Sequence, residues 1–163
     1  MTEKNTDTYP LHAIQLVGIK ILELSIVVNP DIITENARTD FDGAGPFSWN
    51  IGHSDYDHER KGIVVKAIIN MGEEEKSPFK LKIEMAGIFE VDESRFPLIH
   101  IEHWASNNAP LVLYPYLREL AYGLTTRAGF PGVLLPLLQV PTFKINKNID
   151  NTLAQKSKTK STS

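Results

Sequence analysis

Cysteine is absent from the sequence, which excludes disulfides, thiolate metal ligands and a cysteine nucleophile together. No apolar run is long enough to span a bilayer, and no signal-peptide pattern opens the chain. The expectation is a cytoplasmic protein that does not insert into membranes. Also missing are a glycine-rich phosphate loop, a nucleophile elbow and a paired-carboxylate motif. Ser, His and Asp residues occur, but nothing in their spacing favours a triad. Positive charge is outnumbered before the last residues. The net charge is −3, yet five lysines against Asp150 give +4 from Lys144 onward, so the preceding residues carry −7. An acidic body argues against nucleic acid as the partner.

What is present suits one domain: 163 residues, of which 42% are hydrophobic. Phe47, Trp49 and Ile51 alternate onto one face of a strand. Ile63 to Met71 is β-branched and reads as another. Phe79 to Val91 alternates best, with Phe79, Leu81, Ile83, Met85, Phe89 and Val91 opposite Lys80, Lys82, Glu84 and Glu90. One dry and one wet face mark an antiparallel sheet. "MGEEEKSP" supplies the hairpin connection between these two strands. A first strand, Leu11 to Val28, is less regular: its apolar parity slips twice, with Gly18 beside the first slip. That pattern predicts a long, bent strand with a bulge near Gly18.

"NNAP" offers a helix start, with Asn107 or Asn108 as cap and Pro110 in the first turn. Leu113, Leu117, Leu120 and Leu124 recur at helical spacing, and Gly129 followed by Pro131 ends the helix. Strands followed by a helix, with no crossovers between strands, give an α+β layer: one sheet with helices on one face. Apolar residues off the main helix stripe, Val112 and Tyr116, and a first strand apolar on both faces predict an oligomer.

Two clusters could in principle bind metal, "HSDYDHE" (His53, Asp55, Asp57, His58) and "HIEHW" (His100, Glu102, His103). The first lies among turn residues and the second would diverge on a strand. A metal-dependent enzyme built on the first cluster is the alternative from another class; the expectation is no enzyme, no metal and no cofactor.

"AGFPGVLLPLLQVPTF" then runs for sixteen residues without a charge. A core-covering loop is one reading. Against it, buried loops strand backbone donors and acceptors, and proline satisfies none of them. Beside the strand Phe47/Trp49/Ile51, the segment could instead wall a groove that grips extended apolar chain through area rather than directional bonds.

This stretch resembles the SecB family of bacterial protein-export chaperones. "LYPYLREL" is similar to the family's Phe-Pro-Tyr-x-Arg-Glu helix, and "TTRAGFPGVLLPLLQV" to its Ser-Arg-Gly-x-Phe-Pro-x-Leu-x-Leu-x-Pro-Val loop. Gly87 to Phe89 also matches, and "AIQLVGIKILELSI" more loosely resembles the first strand. The likeness covers about residues 11 to 143, as a chaperone domain between a flexible residue 1–10 segment and a polar, lysine-rich, disordered tail over 144–163.

The resemblance implies a four-stranded antiparallel sheet with one long helix and a short C-terminal helix on one face. It implies an ATP-independent holdase for protein export, assembled as a homotetramer (a dimer of dimers), without enzymatic activity or nucleotide. Its partners would be unfolded precursor proteins and the motor SecA. Carried over by position, Phe47, Trp49, Ile51, Leu135, Leu137, Val140 and Phe143 would line the client groove. Tyr116, Leu120 and Leu124 would serve the oligomer interface. Two departures stand out. The family docks SecA with acidic residues on the solvent face of its sheet, where this chain has Ile21, Ser25 and Lys82, with Glu23 and Glu84 nearby. The family's last helix is apolar on one side, whereas "KINKNIDNTLAQKS" is mostly polar. A dedicated chaperone of one client, such as an antitoxin, not coupled to SecA, is an alternative that fits the altered docking face equally well.

Overall fold

A computed structural model describes residues 9–32 and 46–139. Four strands form one antiparallel sheet in the order β1-β4-β3-β2: β1 Ile14–Val28, β2 Phe47–His53, β3 Gly62–Met71 and β4 Phe79–Val91. The alternating residues of β3 and β4 do what their pattern dictates. Ile63, Val65, Ala67, Ile69 and Met71, with Phe79, Leu81, Ile83, Met85, Phe89 and Val91, are buried on one face. The opposite face is charged. There Lys66 Nζ lies 2.9 Å from Glu84 Oε1, and Lys82 Nζ donates to Glu23 Oε2 at 2.6 Å.

The irregular first strand pairs along β4 with two register shifts, between Leu16 and Gly18 and between Ile21 and Glu23. These are the two predicted parity slips. Each adds one residue, so apolar side chains of one parity give way to those of the other while the same face stays turned inward. The strand begins at Ile14 rather than Leu11, because a local turn intervenes in which His12 Nδ1 accepts the Ile14 N–H at 3.0 Å.

Both helices lie on the apolar face. The stretch 95–104, undecided from sequence, holds a 3-10 turn, Leu98–His100, and a short helix, Ile101–Asn107. His100 and His103 are therefore helical, not on a strand. Trp104 of the short helix packs edge-on against Phe89 at 5.0 Å. The long helix, Ala109–Arg127, has proline in its first turn as expected, and Asn108 stands at its N-cap position but makes no side-chain capping hydrogen bond. Asn108 is itself right-handed helical, with φ −103° and ψ −44°, so the short helix runs almost directly into the long one. Pro115 is accommodated inside the long helix. The predicted short C-terminal helix falls beyond residue 139, outside the described residues, and the short helix found precedes the long one.

The buried row of the long helix is Leu113, Leu117, Ala121 and Thr125, at i, i+4 spacing, flanked by half-buried Leu120 and Leu124. Counting leucines placed the stripe one residue off, because the two deepest positions near its end are small or polar. The helix comes close because β4 carries Gly87 beneath it: a Cβ there would sit 2.6 Å from Leu113 Cδ2.

Candidate functional site

The long helix ends as predicted at Gly129, whose φ of 87° suits glycine. Gly129 N–H donates to Thr126 O at 3.1 Å and Phe130 N–H to Thr125 O at 3.0 Å, the paired bonds of a Schellman motif. The chain then folds back along the helix as the proline loop, residues 130–139. Phe130 anchors its start against Phe79, with ring centroids 4.9 Å apart.

The loop solves its backbone problem by borrowing partners from the helix. Val133 N–H donates to Thr125 Oγ1 at 2.9 Å, and that fully buried hydroxyl donates in turn to Ala121 O at 2.8 Å. Arg118 Nε donates to Leu135 O at 2.8 Å, and the Tyr114 hydroxyl donates to Pro136 O. Burial pushes the Tyr114 hydroxyl pKa up, so it stays a donor across the neutral range. Proline's missing N–H costs nothing at Pro131 and Pro136, since neither position is asked to donate.

This anchoring divides the loop into two sides. Phe130, Val133 and Leu135 point into the core at 5%, 0% and 1% exposure, whereas Leu134 and Leu137 stand 64% and 80% exposed. Leu135, expected to line a groove, is a core residue. The hydrogen bond from Arg118 holds its carbonyl toward the helix, and its side chain fills space among the buried residues. Leu137 is open to solvent on the same loop. Val140 and Phe143 lie outside the described residues.

The three strand residues expected at the site lie together. Phe47, Trp49 and Ile51 share the inner face and are half-buried against the margin of the core. Trp49 meets Tyr114 edge-to-face at 5.3 Å, and Tyr114 holds Pro136, so three residues tie the strand to the loop through the helix. A cavity of about 440 Å³ opens at the start of β2, bordered by Phe47, Met71, Pro78 and Phe79. Leu134 was missed by residue-type matching, although its exposed position gives the loop a second outward leucine. Of the interface candidates, Tyr116 is 47% exposed, while Leu120 and Leu124 are half-buried.

The metal alternative finds no geometry. Among the described residues no three His, Asp or Glu side chains converge. Asp57 serves the turn before β3: its Oδ1 accepts the N–H groups of Glu59 and Arg60, each at 3.0 Å. Those bonds, the Arg60 one foremost, hold its carboxyl below the usual range.

Fold and site thus define an α+β protein that displays apolar side chains on a loop anchored to its long helix. The family described as preprotein translocase subunit SecB matches residues 6–142. The chain belongs to the SecB family, whose members are chaperones and not enzymes. It is 31% identical over 137 residues to a Nitrosomonas europaea protein-export protein SecB, covering 83% of this chain and 80% of the relative. It is 28% identical over 129 residues to the Neisseria gonorrhoeae protein of that name, covering 77% and 82%. In fold it is similar to a Mycobacterium tuberculosis SecB-like chaperone solved with an antitoxin peptide, at a TM-score of 0.55 and 20% identity, over 77% of this chain and 91% of that one.

Proposed function

We propose that the protein is an ATP-independent holdase that keeps non-native polypeptides soluble by binding them along Phe47, Trp49, Ile51, Leu134 and Leu137. One observation carries this reading: Leu137 is 80% exposed on a backbone fixed by Tyr114, Arg118 and Thr125. A large apolar side chain in water gains by being covered, at ~25 cal/mol per Å². A wall held rigid beforehand loses little entropy when a client covers it. The export name carried by the relatives supports precursor proteins as clients. In aggregation assays of a chemically unfolded protein, added chaperone without nucleotide should suppress light scattering in proportion to its concentration. Suppression that appears only with ATP would overturn the reading.

A second reading, a dedicated chaperone not coupled to SecA, draws on the outer face of the sheet. Glu23 and Glu84, the acids near the expected docking positions, are already engaged by Lys82 and Lys66. A basic partner approaching there meets neutralised pairs. Pulldown from the source cell discriminates: many precursors together with SecA favour the general export role, and one recurrent protein favours the dedicated one.

The assembly we propose is a homotetramer, a dimer of dimers, supported by exposed Val112, Tyr116 and Tyr122 on the long helix and by Val17, Leu22 and Val27 on β1. Light scattering reporting a monomer would contradict it.

A further inference from the structure

The two edges of the sheet are built differently. β1 carries two bulges along its pairing with β4, and Lys20 and Glu23 interrupt its apolar residues. Bulges and charges are the devices by which an edge discourages strand addition. β2 has neither: Phe47-Ser48-Trp49-Asn50-Ile51-Gly52-His53 contains no Lys, Asp, Glu or Pro and pairs with β3 without a register shift.

Among the described residues only β3 pairs with β2, and the direction of the main-chain groups it leaves unused follows from the register. Ser54 N–H donates to Val64 O at 2.9 Å, so pairs of even-numbered residues are the hydrogen-bonded ones between β2 and β3. The far side of β3 agrees. Val91 N–H donates to Lys61 O at 2.8 Å, which assigns the odd residues of β3 to β4 and leaves the even ones for β2. Ser48, Asn50 and Gly52 are thereby engaged with β3, and Phe47, Trp49, Ile51 and His53 aim both N–H and C=O outward. Those outward residues include the three apolar side chains of the proposed client site.

We infer that a client's extended main chain adds to β2 as a fifth strand, hydrogen-bonded to the outward groups of Phe47, Trp49, Ile51 and His53. The inference rests on the client-binding reading and specifies its geometry. An added strand lays alternate side chains over the inner face beside Trp49 and Ile51, which gives affinity with little sequence preference because the main chain is common to all clients. A second copy of this chain is the weaker occupant. Pairing two seven-residue edges falls well short of the ~1,600 Å² of a typical stable interface. A long unfolded chain is under no such limit.

Residue-resolved amide hydrogen exchange tests the idea on the full chain. The probe is an unstructured synthetic peptide of alternating Val, Phe and Ser residues, its binding followed separately by fluorescence anisotropy. Saturating peptide should slow exchange at Phe47, Trp49, Ile51 and His53 by roughly tenfold or more. Ser48, Asn50 and Gly52, already bonded to β3, should change little. Binding without this alternation would overturn strand addition and leave the holdase reading standing. Absence of binding to this peptide and to unfolded protein alike would overturn both. Alternating protection that is present without peptide and rises with protein concentration would assign the edge to a second copy instead.

Discussion

Leu135 and Leu137 stand two residues apart on one loop, yet Leu135 is 1% exposed and Leu137 is 80% exposed. Both are leucines in an uncharged segment, so hydrophobicity does not separate them. The separation comes from backbone anchoring: the Leu135 carbonyl is drawn to Arg118 and the Pro136 carbonyl to Tyr114, which turns the intervening side chains to opposite sides. One leucine holds the loop down and the other is held up by it. A core-covering side and an apolar side open to solvent are thus two sides of the same segment.

Breaking the inner side should have the largest effect on stability. Leu135→Ala removes a buried side chain and leaves a cavity, which should cost ~2–5 kcal/mol in urea denaturation. An unchanged midpoint would place Leu135 on the outer side after all. Thr125→Val comes next. It removes the buried acceptor of the Val133 N–H and should cost ~1–3 kcal/mol, the range for a stranded buried donor. Tyr114→Phe should cost less, ~0.5–1.5 kcal/mol, because the Pro136 carbonyl it abandons belongs to an exposed residue. That variant should nonetheless weaken client binding by loosening the loop under Leu137.

The smallest effect belongs to the charged outer face of the sheet. The Lys66 hydrogen bond holds the Glu84 carboxyl below its usual pKa, with Lys82 adding to it. A depressed carboxylate adds stability above its unfolded pKa and loses it as pH falls through the lower folded value. The Glu84 contribution should therefore vanish only in acid, below the ordinary glutamate range. Glu84→Gln should shift the neutral-pH denaturation midpoint barely and client affinity not at all, since the pair lies at the surface with Lys66 half-exposed and is screened by water and salt. A large loss of affinity in this variant would move the client site to the outer face.

The sequence revealed the sheet well, because a strand's two-residue period is a direct imprint of its two environments. Even the irregularities of β1 were readable: each slip in apolar parity corresponds to one added residue in the pairing with β4. The long helix was readable at its ends, Pro110 and Gly129, less so in its buried face. Ala121 and Thr125 are as fully buried there as Leu113 and Leu117, and neither is a large apolar residue. The loop was legible only as a whole. It has no period, and its sidedness depends on helix side chains from Tyr114 to Thr125, which act across the turn at Gly129. Residue-by-residue likeness to a family therefore found the segment but placed Leu135 on the wrong side.

The most direct test of the account is to measure denaturation midpoint and affinity for an unfolded polypeptide on the same protein, for Leu137→Ser and Trp49→Ala. Leu137→Ser should leave stability within ~0.5 kcal/mol of the parent, as an exposed position does. Its client affinity should fall by 5- to 150-fold, about 1–3 kcal/mol for one large apolar contact. Trp49→Ala should lose both, since its ring is half-buried and rests on Tyr114. A Leu137→Ser protein that is clearly destabilised yet binds clients as tightly as the parent would contradict the account and make the loop ordinary core.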